Sequence, residues 1–275
     1  MEEITMKYLE RYGTWVCSVL FLLSLSIPVL GQGEKEETLV GHWTFEAGVE
    51  LEDLTGNFAD ITLMDAEIKD GQLNVDLGKW AIASGYDGPD IGEKTLVSWA
   101  IMDDLDVQKG SILTIDRLSD PTFDAIVFGE RQNRRWMAGS GWFHRTQDPD
   151  PGFEEKKAGE LIMMAISYED DGGTARVRIY RNGDEIGDYT FGQFVTFDNK
   201  DAEAIWGKRH GGLGGGPGDL DAHIEDSRIY ASVLSQAEIK KLLPNTLDVA
   251  ASGKLATTWA RLKNDSGSEL LVDFE

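Results

Sequence analysis

Cysteine is almost absent. The 275-residue chain has one, Cys17, inside an apolar segment near the N-terminus. Disulfide staples are excluded, and so are cysteine-based zinc sites. Basic charge is scarce as well: 26 Lys and Arg face 49 Asp and Glu, for a net charge of −23. Such a field repels nucleic acid and anionic membranes, favours cations and keeps a surface soluble. The four histidines, His42, His144, His210 and His223, never pair at ligand spacing, so a zinc site is not expected. A serine-nucleophile elbow is missing, because Ala138-Gly139-Ser140-Gly141 lacks the first glycine. A calcium-binding hand fails too: Asp219-Leu220-Asp221 runs on to His223 where the third ligand belongs.

Only one segment is strongly apolar. Thr14 to Leu30 holds Trp15-Val16-Cys17-Ser18-Val19-Leu20-Phe21-Leu22-Leu23, then Gly31-Gln32 and the charged run Glu34-Lys35-Glu36-Glu37. That is the form of a signal peptide over residues 1–32, with Val29 and Gly31 at the small positions before a cut. Cleavage would leave a chain starting near Gln32 or Gly33, with no membrane span, in a secreted, periplasmic or cell-surface location. The rival is an uncleaved anchor, for which the run is slightly short of the roughly 20 residues a bilayer requires.

Beyond it, short alternating segments recur. Leu39 to Glu46 reads as an opening strand, Asp53-Leu54-Thr55-Gly56-Asn57 as a turn, and Ala59 to Leu63 and Gln72 to Val75 as strands. Lys94 to Ile101, Ser111 to Ile115, Phe123 to Phe128, Trp136 to Ser140 and Leu161 to Tyr168 follow, with a turn at Glu169 to Gly173. Asn182-Gly183 between Ala175–Tyr180 and Asp184–Thr190 is the strongest hairpin signal. Thr146 to Gly159, with two prolines and many charges, reads as an exposed loop. Near the end, an Arg-Ile-Tyr strand runs into Ser235-Gln236-Ala237-Glu238-Ile239, a short helix with a capping box. Many short strands and one short helix make an all-β sandwich over residues 36–244. Residues 245–275 form a tail of undetermined role.

The closing stretch, Gly218-Asp219-Leu220-Asp221-Ala222-His223-Ile224-Glu225-Asp226-Ser227-Arg228-Ile229-Tyr230 with its Leu234-Ser235-Gln236-Ala237-Glu238-Ile239 helix, resembles the laminin-G-like domains of the concanavalin A-like lectin/glucanase superfamily. So does the opening, with Trp43-x-Phe45-Glu46, Asp53-x-Thr55-Gly56-Asn57 and an Asp70-Gly71-x-Leu73 strand, and so does the Tyr180-x-Asn182-Gly183 hairpin. The resemblance brackets residues 39–243 and implies a two-sheet antiparallel jelly roll. Glu225 stands where Asp is usual and Ser227 where Val is usual. Hydrolases of this superfamily carry a Glu-x-Asp-x-x-Glu strand. The nearest approach here, Glu169-x-Asp171, has Thr174 in the third position.

The function expected is therefore a secreted, non-catalytic binding module for carbohydrate or another extracellular ligand. The alternatives are a glycan hydrolase or lyase with an unrecognised catalytic set, and a protein–protein adhesion module. Arg131, Arg134, Arg135, Trp136, Trp142, Phe143, His144 and Arg145 crowd into fifteen residues of an acidic chain. Sugars stack on indole and arginine pairs with acidic groups, so Arg134, Arg135, Trp136, Trp142 and Arg145 are the candidate ligand-binding residues. The bland alternative is a basic hairpin whose aromatics are core. Trp43, Trp80, Trp99 and Trp206 sit in strand contexts and are expected in the core. The resemblance also implies that the first and last strands lie together, with a structural calcium ion held by Glu46, Asp53, Glu225 and, more weakly, Asp226 and Asn57. Calcium takes 6–8 oxygens and needs no short motif.

Overall fold

A computed structural model describes residues 38–106, 109–140, 147–211 and 218–244. Within them are fourteen strands and one helix. In chain order the strands are β1 (Leu39–Trp43), β2 (Thr62–Met64), β3 (Glu67–Lys69), β4 (Gln72–Val75), β5 (Trp80–Ala83), β6 (Lys94–Met102) and β7 (Gly110–Arg117). Then come β8 (Phe123–Phe128), β9 (Trp136–Ser140), β10 (Leu161–Asp171), β11 (Thr174–Arg181), β12 (Asp184–Gln193), β13 (Ala202–Trp206) and β14 (Ala222–Tyr230), and the helix α1 (Gln236–Ile239).

All strand pairings are antiparallel, in two sheets. The eight-stranded sheet runs β12-β11-β10-β6-β14-β4-β3, with β1 added against β14; the six-stranded sheet runs β2-β5-β13-β7-β8-β9. The first and last strands therefore meet, as expected: Trp43 faces Ser227 and Leu39 faces Tyr230. Trp43, Trp136, Trp206 and Phe45 are fully buried between the sheets, and the Trp43 and Trp206 rings meet edge to face at 4.9 Å.

A bulge at Glu225 resets the alternation of β14 between Ile224 and Asp226. Ile224 and Ile229 join the main core. Ser227 accepts a hydrogen bond from the Trp206 indole at 3.0 Å and shares another with Ser98 at 2.9 Å. A hydroxyl thus replaces valine because it satisfies a buried indole N–H. Across the sheets, Lys94 is wholly buried on β6 and reaches Asp124 on β8 at 2.9 Å. Burial pushes the Asp124 carboxyl up and Lys94 opposes that rise.

The helix closes a second, smaller core on the outer face of the larger sheet, where Ile239 and Leu234 cover Val97, Trp99, Met163 and Tyr230. Ser235 caps it: its side chain accepts from Glu238 N, and its own backbone N–H donates to the Glu238 carboxylate at 2.8 Å. A cap of this kind stabilises a helix by about 1 kcal/mol. The Asn182-Gly183 turn has both residues at positive φ, 50° and 81°, as a tight hairpin requires. One expected turn is shorter than Glu169 to Gly173. Glu169 and Asp171 belong to β10, and only Gly172 and Gly173, at φ 67° and 89°, turn the chain. Of the four tryptophans expected in the core, Trp80 is half-buried, with the Lys208 ammonium 4.2 Å above its ring.

Candidate functional site

The proline-containing segment after β9 is the expected loop, and backbone hydrogen bonds tie it down. Gly152 N donates to Ile186 O, Glu155 N to Arg134 O and Gly159 N to Met102 O, all at 2.8–2.9 Å. The keystone is Glu155, which is 2% exposed. Its carboxylate accepts the Trp136 indole N–H at 2.8 Å and both arms of the Arg181 guanidinium at 2.7 and 2.9 Å. A buried carboxylate held by three donors is a fixed post. Arg181 in turn lies over the Phe153 ring at 4.1 Å, a cation–π contact that holds the ring in place.

The result is an open cleft of about 470 Å³. Its lining includes Phe153, which is 38% exposed, and the cations Arg135, Lys156, Lys157 and Arg181 beside Glu154, Glu155 and Glu160. These charges differ in what they already hold. Arg181 is on Glu155, and Lys157 meets Glu160 at 2.6 Å. Arg135 comes no closer to Glu154 than 3.8 Å, beyond hydrogen-bond range. Every other described arginine has a carboxylate oxygen within 2.8 Å. Lys156 is exposed and has no ion-pair partner among the described residues.

Of the ligand-binding residues expected from sequence, Arg135 lines this cleft and Arg134 does not. Arg134 makes a two-armed pair with Asp106 at 2.8 and 2.7 Å, which raises the guanidinium and holds Asp106 below the usual carboxylate range. Trp136 is corrected to a core residue: it is fully buried, packs on Phe128 at 4.7 Å and presents no face to a ligand. Trp142 and Arg145 lie outside the described residues. Phe153, Lys156 and Arg181 were missed. Phe153 is the one aromatic ring in a loop dense in charge and carries no local motif of its own. Arg181 reads in sequence only as a strand end before Asn182-Gly183.

The expected calcium ligands fall into two pairs. Asp53 accepts from four backbone N–H groups, those of His42, Thr55, Asn57 and Phe58, at 2.8–3.1 Å. Asp226 is fully buried and takes Arg228 Nε and Nη2 at 3.0 and 2.7 Å. Burial would lower the Arg228 guanidinium, but the Asp226 charge and hydrogen bonds outweigh it and leave it raised. Glu225 accepts from the Gln72 amide, and Glu46 lies against Gly71, so these two share the β3–β4 turn. Asn57 donates its amide to Val40 O at 3.1 Å. Oxygens saturated by N–H donors, and a carboxylate locked to arginine, do not fit a calcium shell. Among the described residues no group of three or more His, Cys, Asp or Glu is arranged to hold a metal.

A second feature escaped the sequence reading. On the outer face of the six-stranded sheet, Glu203 of β13 stands directly opposite Asp116 of β7. Both are buried. Asp116 accepts from Gly211 N at 2.8 Å and Arg117 N at 3.1 Å, and Glu203 accepts from the Ser84 hydroxyl at 3.1 Å. Burial raises the Glu203 carboxyl, and the Ser84 bond only partly offsets it. Beside this face the half-buried His210 stacks on Phe123 at 5.0 Å; burial, then Arg209 and Lys208, lower its imidazole. The signal in sequence was a glutamate inside the alternating Ala202-Glu203-Ala204-Ile205 run.

Comparison with known proteins agrees with the fold. Residues 91–240, more than half of the chain, match a laminin-G family model described as the concanavalin A-like lectin/glucanases superfamily. No curated protein matches the chain. Among solved structures, Trypanosoma rangeli sialidase superposes with a TM-score of 0.51 at 17% identity, over 75% of this chain and 32% of that one. A botulinum neurotoxin type C structure, described by its dependence on two ganglioside molecules for cell entry, gives 0.51 at 10% identity, over 76% and 51%. Domain 4 of an extracellular arabinanase from Geobacillus stearothermophilus, in complex with arabinotriose, gives 0.48 at 22% identity, over 74% and 97%. The chain thus spans about a third of the sialidase and half of the neurotoxin chain, and the likeness to these two is one of fold.

Proposed function

The chain belongs to the concanavalin A-like lectin/glucanase superfamily, and from that premise we propose that it is an exported, non-catalytic module that binds a glycan in the cleft beneath the 151–160 loop. The observation that carries this is an exposed aromatic ring, Phe153, fixed by Arg181 and flanked by Arg135 and Lys156. Pyranose rings present apolar C–H faces to aromatic rings, and guanidinium and ammonium groups supply hydrogen-bond donors to hydroxyl and acid oxygens. Ganglioside interaction, named for the neurotoxin, is in keeping with a glycan ligand and enters here only as support. Fold by itself does not set function, so the weight rests on the cleft.

Export rests on the apolar segment before Gly31. N-terminal sequencing of the mature protein should begin near Gln32; retention of Trp15 or Phe21 would make the segment an anchor. A glycan array with the full chain tests binding, and Phe153→Ala should weaken every positive spot. Array signals unchanged by that variant would move the ligand elsewhere.

One observation favours a second reading, a glycan hydrolase. Glu203 opposite Asp116 is a pair of buried carboxylates, the side-chain type such chemistry uses. Reducing-sugar release from a polysaccharide panel, abolished by Glu203→Gln, would establish it. Absence of release with retained binding leaves the module non-catalytic.

A further inference from the structure

Building on the glycan reading, we infer that the cleft selects a sugar residue bearing an acid group, which Arg135 and Lys156 hold while Phe153 stacks on the ring. The argument begins from what the cations already do. In a chain of net charge −23 the described arginines are drawn onto carboxylates, all but one at 2.8 Å or closer, and Arg135 alone is held loosely, by an ion pair beyond hydrogen-bond range. Its side chain is 31% exposed and stands 3.8 Å from Glu154. The guanidinium therefore keeps its planar fork for a ligand. Lys156 lines the same cleft and has no ion-pair partner among the described residues.

Position reinforces charge. The backbones of Arg135 and Glu154 are bridged, so Arg135 emerges beside the loop that carries Phe153 and Lys156. Gly152, at φ 66°, has no side chain; a Cβ there would lie 3.1 Å from Arg135 Nη1 and 3.0 Å from Pro149 O. Glycine thus leaves the guanidinium its room. Arg181, already doubly bonded to Glu155, fixes the ring and takes no part in holding the acid. The surrounding acidic field opposes polyanions, so the matching ligand carries isolated acid groups on an otherwise neutral chain. Carboxylate and sulfate share the required chemistry, three or more oxygen lone pairs on one negative charge.

The experiment uses the full chain on an array of matched oligosaccharides. Lactose, galactan and xylan fragments each appear neutral, with one uronic or sialic acid, and with one sulfate. Acid-bearing members should bind roughly a hundredfold tighter than their neutral counterparts. Arg135→Ala and Lys156→Ala should each erase roughly a tenfold part of that preference, with the neutral members little changed. Affinity for the acidic members should fall as salt rises. Arg176→Ala, which removes an arginine paired with Asp188 at 2.8 Å, is the control for general charge and should leave the preference intact. The carboxylate and sulfate arms identify the acid, and either supports the inference. Equal binding of neutral and acidic members, or a preference untouched by both cleft variants in folded protein, overturns it while the glycan reading stands. Binding to no member overturns both.

Discussion

The β1–β14 seam and the cleft under the 151–160 loop are both dense in charge, and they use it in contrary ways. At the seam Asp53 gathers four backbone N–H groups and Asp226 holds a largely buried Arg228. Those carboxylates are structural parts: they hold the loop after β1 and the last strand where a core of Trp43 and Trp206 needs them. In the cleft the opposite obtains. Glu155 and Arg181 satisfy each other and build a scaffold, while Arg135 and Lys156 are left facing solvent. A charge already engaged by the fold contributes to stability. A charge that the fold places but engages loosely or not at all costs little to keep in water and remains open to a partner.

The comparison can be broken by removing one charge from each region. Asp226→Ala leaves the Arg228 side chain, 12% exposed, without its carboxylate, and should cost about 3–5 kcal/mol in urea unfolding. Lys156→Ala should stay within about 0.5 kcal/mol of the parent. Comparable losses for the two would end the distinction. Next in size is Asp53→Ala. It strands several partly buried N–H groups, for a cost of about 2–4 kcal/mol read from the denaturant midpoint at constant m. A loss below about 1 kcal/mol would mean that water replaces the carboxylate.

A smaller effect comes from Glu203, whose carboxyl burial raises. With the folded-state pKa above the unfolded one, the stabilising contribution is full below the unfolded value and is lost as pH rises through the folded one. Glu203→Gln should therefore gain on the parent as pH rises from the ordinary carboxylate range through the raised folded-state value, and a parallel pair of stability profiles would refute the shift. The smallest expected effect is that of calcium. Because Asp53 and Asp226 are engaged by N–H donors, melts in millimolar calcium and in EDTA should agree to within about 1 °C. A rise of roughly 5–10 °C would restore the ion, with Glu46 and Glu225 as its first candidates.

Much of the architecture is readable in the chain itself. The alternating runs Phe123–Phe128 and Trp136–Ser140 coincide with β8 and β9, and Asn182-Gly183 marks its hairpin. Ser235 and Glu238 marked both the start of the helix and the cap that makes it. These are local effects. Alternation of side chains along a strand, positive φ in a two-residue turn and a side chain reaching its own backbone all act over a few residues. The meeting of the first and last strands was legible too, though through resemblance.

The site was harder to read, because its chemistry depends on neighbours distant in sequence. Arg134 and Arg135 are adjacent and chemically alike, yet Arg134 finds Asp106 across the fold and Arg135 finds no carboxylate within hydrogen-bond range. In sequence Trp136 reads as a sugar platform, but Glu155, nineteen residues on, takes its indole N–H in the core. Asp53 and Asp226 had the right side chains for a cation, and only the packed loop revealed that N–H groups already surround them. The sequence by itself determined the all-β sandwich, its hairpin, its capped helix and its acidic surface, since each follows from local backbone preference or from composition. Only the tertiary structure decided which charges are engaged and which remain available, because a carboxylate or guanidinium is committed by whatever the fold brings within about 3 Å of it.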